Sequence, residues 1–131
     1  MSESVSDFKE KVSNADKNIV AVDFDGVIHK NSQGFHNGKI YDDLIDGTVE
    51  GLEFLSEKYE LVIYTCKANP SRPLIEGKTG KQLIKDWLIE KKIDHFFKEI
   101  YFEKPNAKFY IDDKAITFKS WNQIIKTFLE N

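Results

Sequence analysis

The chain has one cysteine, Cys66, one arginine, Arg72, and three prolines. A lone cysteine closes no internal disulfide. No run approaches the roughly 18 apolar residues that a membrane span needs. Charge of one sign is not in excess either. The 19 Lys and Arg stand against 22 Asp and Glu, a formal charge of -3, so no global field draws the chain to nucleic acid or anionic lipid. Repeats and low-complexity tracts are missing, and the opening MSESVSDFKEKV carries acidic residues where a secretory signal would have an apolar core. These absences set the expectations of no membrane partner, no general nucleic-acid affinity and a cytoplasmic location.

What is present suits one packed domain. With 131 residues, 40% of them hydrophobic and 31% charged, the chain is long enough for a single core and too short for two. Residues 1–131 are therefore read as one unit, with a polar lead-in over 1–15. Val5, Phe8 and Val12 make a weak helical stripe there, read as a partly frayed terminal helix.

Strand-like segments follow at 18–23 (NIVAVD), 60–65 (ELVIYT), 99–102 (EIYF) and 108–112 (KFYID). They are rich in branched and aromatic residues, and three are nearly continuous apolar runs, as strands covered on both faces are. Helical spacing appears between and after them. Val49, Leu52 and Leu55 recur in one segment, which Gly51 weakens. Thr79 and Gln82 stand in capping-box register before Leu83, Ile84, Trp87 and Leu88. Ser120 and Gln123 repeat that grammar before Ile124, Ile125, Phe128 and Leu129. The alternation predicts an α/β domain of three layers, Rossmann-like, with a mainly parallel central sheet. Only residues 103–107 separate the last two strand-like segments, too few for a helical crossover between adjacent parallel strands. The 99–102 segment is accordingly read as a short edge strand or a lead-in.

In open parallel sheets ligands sit outside the carboxyl ends of the strands. The residues ending each apolar run are Asp23, Asp25 and Gly26; Thr65, Cys66 and Lys67; Glu103 and Lys104; Asp112 and Asp113. Four aspartates at one edge repel one another unless a cation joins them, and an oxygen-only set suits Mg²⁺. Beside such an ion one Asp can attack a phosphorus, and a second carboxyl two residues on can move the proton of the leaving group.

VDFDGVI, VIYTCK and EKPNAKFYIDD, in that order and each at a predicted strand end, resemble the four motifs of the haloacid dehalogenase superfamily of phosphohydrolases, in its small capless form. The resemblance covers Asn18 to the C-terminus. It implies a Mg²⁺-dependent phosphatase in which Asp23 is the nucleophile and a metal ligand. Asp25 is the general acid and base and lends its backbone carbonyl to the metal, while Gly26 permits the turn after them. Thr65 bonds a phosphoryl oxygen, Lys104 neutralises the nucleophile and phosphate, Asp112 holds Mg²⁺, and Asp113 supports them. Lys108 and Lys67 are rivals to Lys104; Lys108 lies roughly 13 Å from Asp112 at about 3.3 Å per residue. The substrate is a phosphorylated molecule of unknown class, with a nucleic-acid end among the candidates.

Two other readings are kept: a phosphoacceptor module of the receiver type, and a non-catalytic metal-binding domain on the same fold. Of the remaining residues, His29, His36 and His95 lack metal-ligand spacing and are read as surface or hinge residues, Cys66 as a buried small residue, and Trp87 and Trp121 as core. The loop 66–80 is either a solvated connection or a small lid in which Lys67, Arg72 and Lys78 offer positive charge to the substrate.

Overall fold

A computed structural model of the chain describes residues 18–34, 39–112 and 116–129. Val5, Phe8, Val12, His36 and Asp113 lie outside the described residues.

Five parallel strands form one sheet: β1 (Ile19–Asp23), β2 (Glu60–Tyr64), β3 (Phe97–Tyr101), β4 (Phe109–Asp112) and the short β5 (Ile116–Thr117), in the order β3-β2-β1-β4-β5. Among the described residues three α-helices accompany them: α1 (Thr48–Ser56), α2 (Gly80–Glu90) and α3 (Trp121–Leu129). The α/β class and parallel sheet match the reading of the sequence. The apolar triplets Val20-Ala21-Val22 and Leu61-Val62-Ile63 are buried, as residues of central strands covered on both faces must be. Each large side chain so buried contributes about 1.5–3 kcal/mol relative to exposure. Leu52, Leu55, Ile84, Leu88, Ile111 and Ile124 join them in one core.

Helix starts are where the sequence places them. Thr79 and Gln82 form the full capping box of α2, and the Ser120 hydroxyl accepts the Gln123 N–H at 3.1 Å. Trp87 and Trp121 are core residues. Gly51 is explained by packing: a Cβ there would lie 2.3 Å from Cε3 of Trp121, so α1 can meet α3 only through glycine.

The short link after β3 is resolved by strand order. β3 is an edge strand beside β2, and β4 lies beyond β1. The two are not neighbours. Crossing three strand spacings of about 4.8 Å and one strand length takes roughly 20 Å, which the extended chain from Tyr101 to Phe109 covers at about 3.3 Å per residue. No helix is needed. The hydroxyl of Tyr110 ties the link down, donating to the Pro105 carbonyl at 2.6 Å and accepting the Ala107 N–H at 3.1 Å.

Among the described residues no helix is long and apolar enough to cross a membrane.

Candidate active site

β1 is flanked by β2 on one side and β4 on the other. The chain runs outward from β1 to β2 to β3 and then returns to β1's other side, so the strand order reverses at β1 and β4, the place where open α/β sheets form ligand crevices. Asp23 ends β1. Its Oδ1 accepts the Phe24 N–H at 2.8 Å. Phe24 is fully buried, and its carbonyl accepts N–H groups from Val27, Ile28 and His29 at 3.3, 2.9 and 3.1 Å. This pinned turn, with Gly26 at φ 83°, swings the chain back and sets Asp25 over the end of β2.

At that end Thr65 is buried, and its hydroxyl oxygen accepts the Lys67 N–H at 3.3 Å to start a single 3₁₀ turn, Cys66–Ala68. The turn directs Lys67 inward. Its side chain is 8% exposed, and Nζ donates to Oδ2 of Asp25 at 2.6 Å. Gly80, the first residue of α2, packs on the same segment. A Cβ there would lie 1.6 Å from the Lys67 carbonyl oxygen.

The other carboxylate oxygen of Asp25 accepts from Nδ1 of His29 at 2.8 Å. Burial is the largest influence on Asp25 and pushes its pKa up. The bonds from His29 and Lys67 together outweigh it and hold the carboxyl below its ordinary value of 3.8. Asp25 is therefore ionised at rest.

Asp25, Asn31, Thr65, Cys66, Lys67 and Arg72 line a cavity of about 110 Å³. Pockets that enclose a whole small molecule span about 300–1,000 Å³. This one is too small to enclose a whole small molecule and leaves most of any ligand outside.

On the β4 side, Asp112 follows the register pair Val22↔Ile111, which places it level with Asp23 on the adjacent strand. Asp112 is buried, and its Oδ2 accepts from the hydroxyl of Tyr64. Nζ of Lys104 stands 3.7 Å from the same oxygen and 4.3 Å from the centre of the Tyr110 ring. Among the described residues no group of three or more His, Cys, Asp and Glu is arranged to hold a metal.

Asp23, Asp25, Gly26, Thr65, Lys67, Arg72, Lys104 and Asp112 thus occupy the carboxyl edge of the sheet, and Asp113 lies outside the described residues. The structure divides the lysines: Lys67 pairs with Asp25, Lys104 with Asp112, and Lys108 precedes β4 at the opposite edge, its N–H donating to the Ile19 carbonyl at 2.8 Å. Lys78 does not line the cavity. Exposed, it pairs with Asp86 at 2.5 Å. Two further readings are corrected. Cys66 is exposed, because the 3₁₀ turn that buries Lys67 carries its neighbour outward. His29, read as a surface or hinge residue, is not on the surface but fully buried, since the turn at Phe24 folds it under the strand end. Asn31 and Tyr64 were not legible as site residues; Tyr64 reads as one more apolar strand position, and no spacing marks Asn31.

No protein-family model, curated protein or solved structure matches this chain.

Proposed function

We propose that the chain is a Mg²⁺-dependent phosphomonoester hydrolase of the haloacid dehalogenase type, a capless three-layer domain working through an aspartyl-phosphate. The observation that carries this reading is the cavity lined by Thr65, Lys67, Arg72 and Asp25, which stands two residues beyond Asp23 at the end of β1. A carboxylate nucleophile, an acid–base carboxylate and donors for phosphoryl oxygens thereby share one strand edge.

The donor set fits the ion. Mg²⁺ takes one or two carboxylates and keeps several waters, and Asp23 and Asp112, level on adjacent strands, are hard oxygen donors of that number. Bound there, Mg²⁺ would offset the charge of the phosphoryl group. The chemistry of the chain's own groups then follows. A carboxylate oxygen of Asp23 bonds to phosphorus as the bond to the leaving oxygen breaks, with Thr65 and Lys67 donating to phosphoryl oxygens. The leaving oxygen takes a proton from Asp25 in those molecules that enter protonated there. In the second half Asp25 takes a proton from water, whose oxygen displaces Asp23 and releases inorganic phosphate.

The test is inorganic phosphate release from an aryl phosphate with and without Mg²⁺, for the native chain and Asp23→Asn. Activity should require the ion and vanish in the variant, whose melting temperature stays close to native. Turnover by Asp23→Asn near the native rate would remove the covalent mechanism.

A further inference from the structure

His29 is 0% exposed, enclosed by the rings of Phe24, Tyr41 and Trp87 with centroids 5.5, 5.2 and 5.5 Å away. A polar ring buried this completely is costly unless both nitrogens are bonded. Both are. Nδ1 meets Asp25 at 2.8 Å, and Nε2 meets the backbone N–H of Asp42 at 3.0 Å. A backbone N–H can only donate, so Nε2 carries no proton, and the ring is held in the tautomer that donates from Nδ1 to Asp25.

The far partner belongs to the chain segment returning toward the cavity. The Asp42 carbonyl accepts from Nε1 of Trp87 at 3.2 Å, and its carboxylate accepts the N–H and hydroxyl of Ser32 at 3.0 and 2.5 Å. Next to it, the Tyr41 hydroxyl lies 3.2 Å from the side-chain oxygen of Asn31 and 2.8 Å from the Gly34 carbonyl. Asn31 lines the cavity together with Thr65 and Lys67. Hydrogen bonds thus run from Asp25 through His29 and Asp42 to Ser32, the covalent neighbour of Asn31.

We propose that His29 is a positioning residue that couples the Asp25 carboxylate to the loop presenting Asn31, so that the two sides of the phosphoryl cavity are set together. The proposal rests on the phosphatase reading for the consequence in turnover, but the coupling itself is a property of the fold. Nothing in the motifs assigns His29 this part.

Two His29 variants and an NMR comparison of the native chain with Asp25→Asn test it. His29→Gln keeps one N–H donor and one carbonyl acceptor; His29→Leu keeps the bulk and neither bond. With an alkyl phosphate the Leu variant should lose up to roughly 100-fold in kcat, the scale of a small misplacement of a reacting group, with KM little changed. The Gln variant should recover part of the loss. Full kcat in the Leu variant would mean that His29 only fills space. Nitrogen NMR of the native chain and of Asp25→Asn decides the question independently of turnover and of whether the His29 variants fold. The native ring should show a protonated Nδ1 and a bare Nε2, and Asp25→Asn should shift the Asp42 amide resonance. A proton on Nε2, or an Asp42 amide indifferent to Asp25→Asn, overturns the coupling. Coupling seen by NMR in a protein that releases no phosphate would instead sustain His29's part and overturn the phosphatase reading alone.

Discussion

Nζ of Lys67 donates to Oδ2 of Asp25 at 2.6 Å across a separation of 42 residues in the chain. The lysine leaves the end of β2 in a 3₁₀ turn and reaches a carboxylate presented by the turn after β1. The pair gives the cavity an ionised carboxylate and a buried ammonium side by side.

Lys67→Met keeps most of the stem and removes the cation. Burial of Asp25 is then opposed by His29 without Lys67, so the Asp25 carboxyl should titrate at higher pH than in the native chain, read from its carboxyl ¹³C shift. Loss of a bond to a partly buried charge should also lower stability by about 1–3 kcal/mol, measured by urea unfolding at neutral pH. A titration curve unchanged by the substitution would show that the ion pair is not formed in solution.

Gly80→Ala should act on the site from outside it. The added Cβ meets the Lys67 carbonyl oxygen at 1.6 Å, and a backbone atom cannot rotate away. The expected destabilisation is about 1–3 kcal/mol, as for other overpacked positions, together with a fall in phosphatase activity greater than the loss of folded protein explains. Thermal unfolding and activity per folded molecule check the two parts separately.

The pH dependence of stability should carry a signature from Asp42. The Ser32 hydroxyl, with the backbone N–H groups of Ser32 and Asp43, lowers its pKa from 3.8 to about 2. A depressed carboxyl contributes stability that is complete above the unfolded value and lost as pH falls through the folded one. The contribution is present at pH 5 and fades between about 4 and 2. Asp42→Asn should therefore be less stable than the native chain at pH 5, with the difference shrinking as pH is lowered through that window. Urea midpoints at pH 5, 3 and 2 measure it; a constant difference would exclude the Ser32 bond as its source.

Arg72 and Lys78 should part company. Arg72 borders the cavity, so Arg72→Ala should raise KM for a phosphorylated substrate by a factor equivalent to about 1–3 kcal/mol. Lys78 is bound to Asp86 in solvent, and Lys78→Ala should leave KM where it is. Steady-state kinetics over sugar phosphates, nucleotides, oligonucleotide ends and phosphopeptides compares the two, and the class most affected by Arg72→Ala indicates the substrate. Equal rises in KM for both substitutions would instead support the 66–80 segment as a lid acting as a whole, and no change for either a plain connection.

Much of the frame was legible in the chain because the relevant physics is local. Continuous apolar triplets at 20–22 and 61–63 mark strands buried on both faces, and Thr79 with Gln82 marks a helix start through bonds that span one turn. The carboxyl ends of β1, β2 and β4, and with them Asp23, Thr65 and Asp112, follow from where those apolar runs stop. β5 was not legible: two residues carry no periodicity, and only pairing with β4 makes Ile116–Thr117 a strand.

By itself the sequence determined an α/β chain with parallel strands and collected its aspartates at their carboxyl ends, since periodicity and strand polarity need no knowledge of distant partners. Which lysine meets which aspartate was decided by the tertiary structure alone. The direction of Lys67 depends on Thr65 capping a short turn and on Gly80 allowing α2 to press against it, while that of Lys104 depends on Tyr110 holding the link after β3. His29 shows the same limit. A histidine four residues beyond Asp25 reads as a surface residue until the turn at Phe24 buries it between Asp25 and the amide of Asp42, because burial and both hydrogen bonds are set by chain segments that meet only in the folded state.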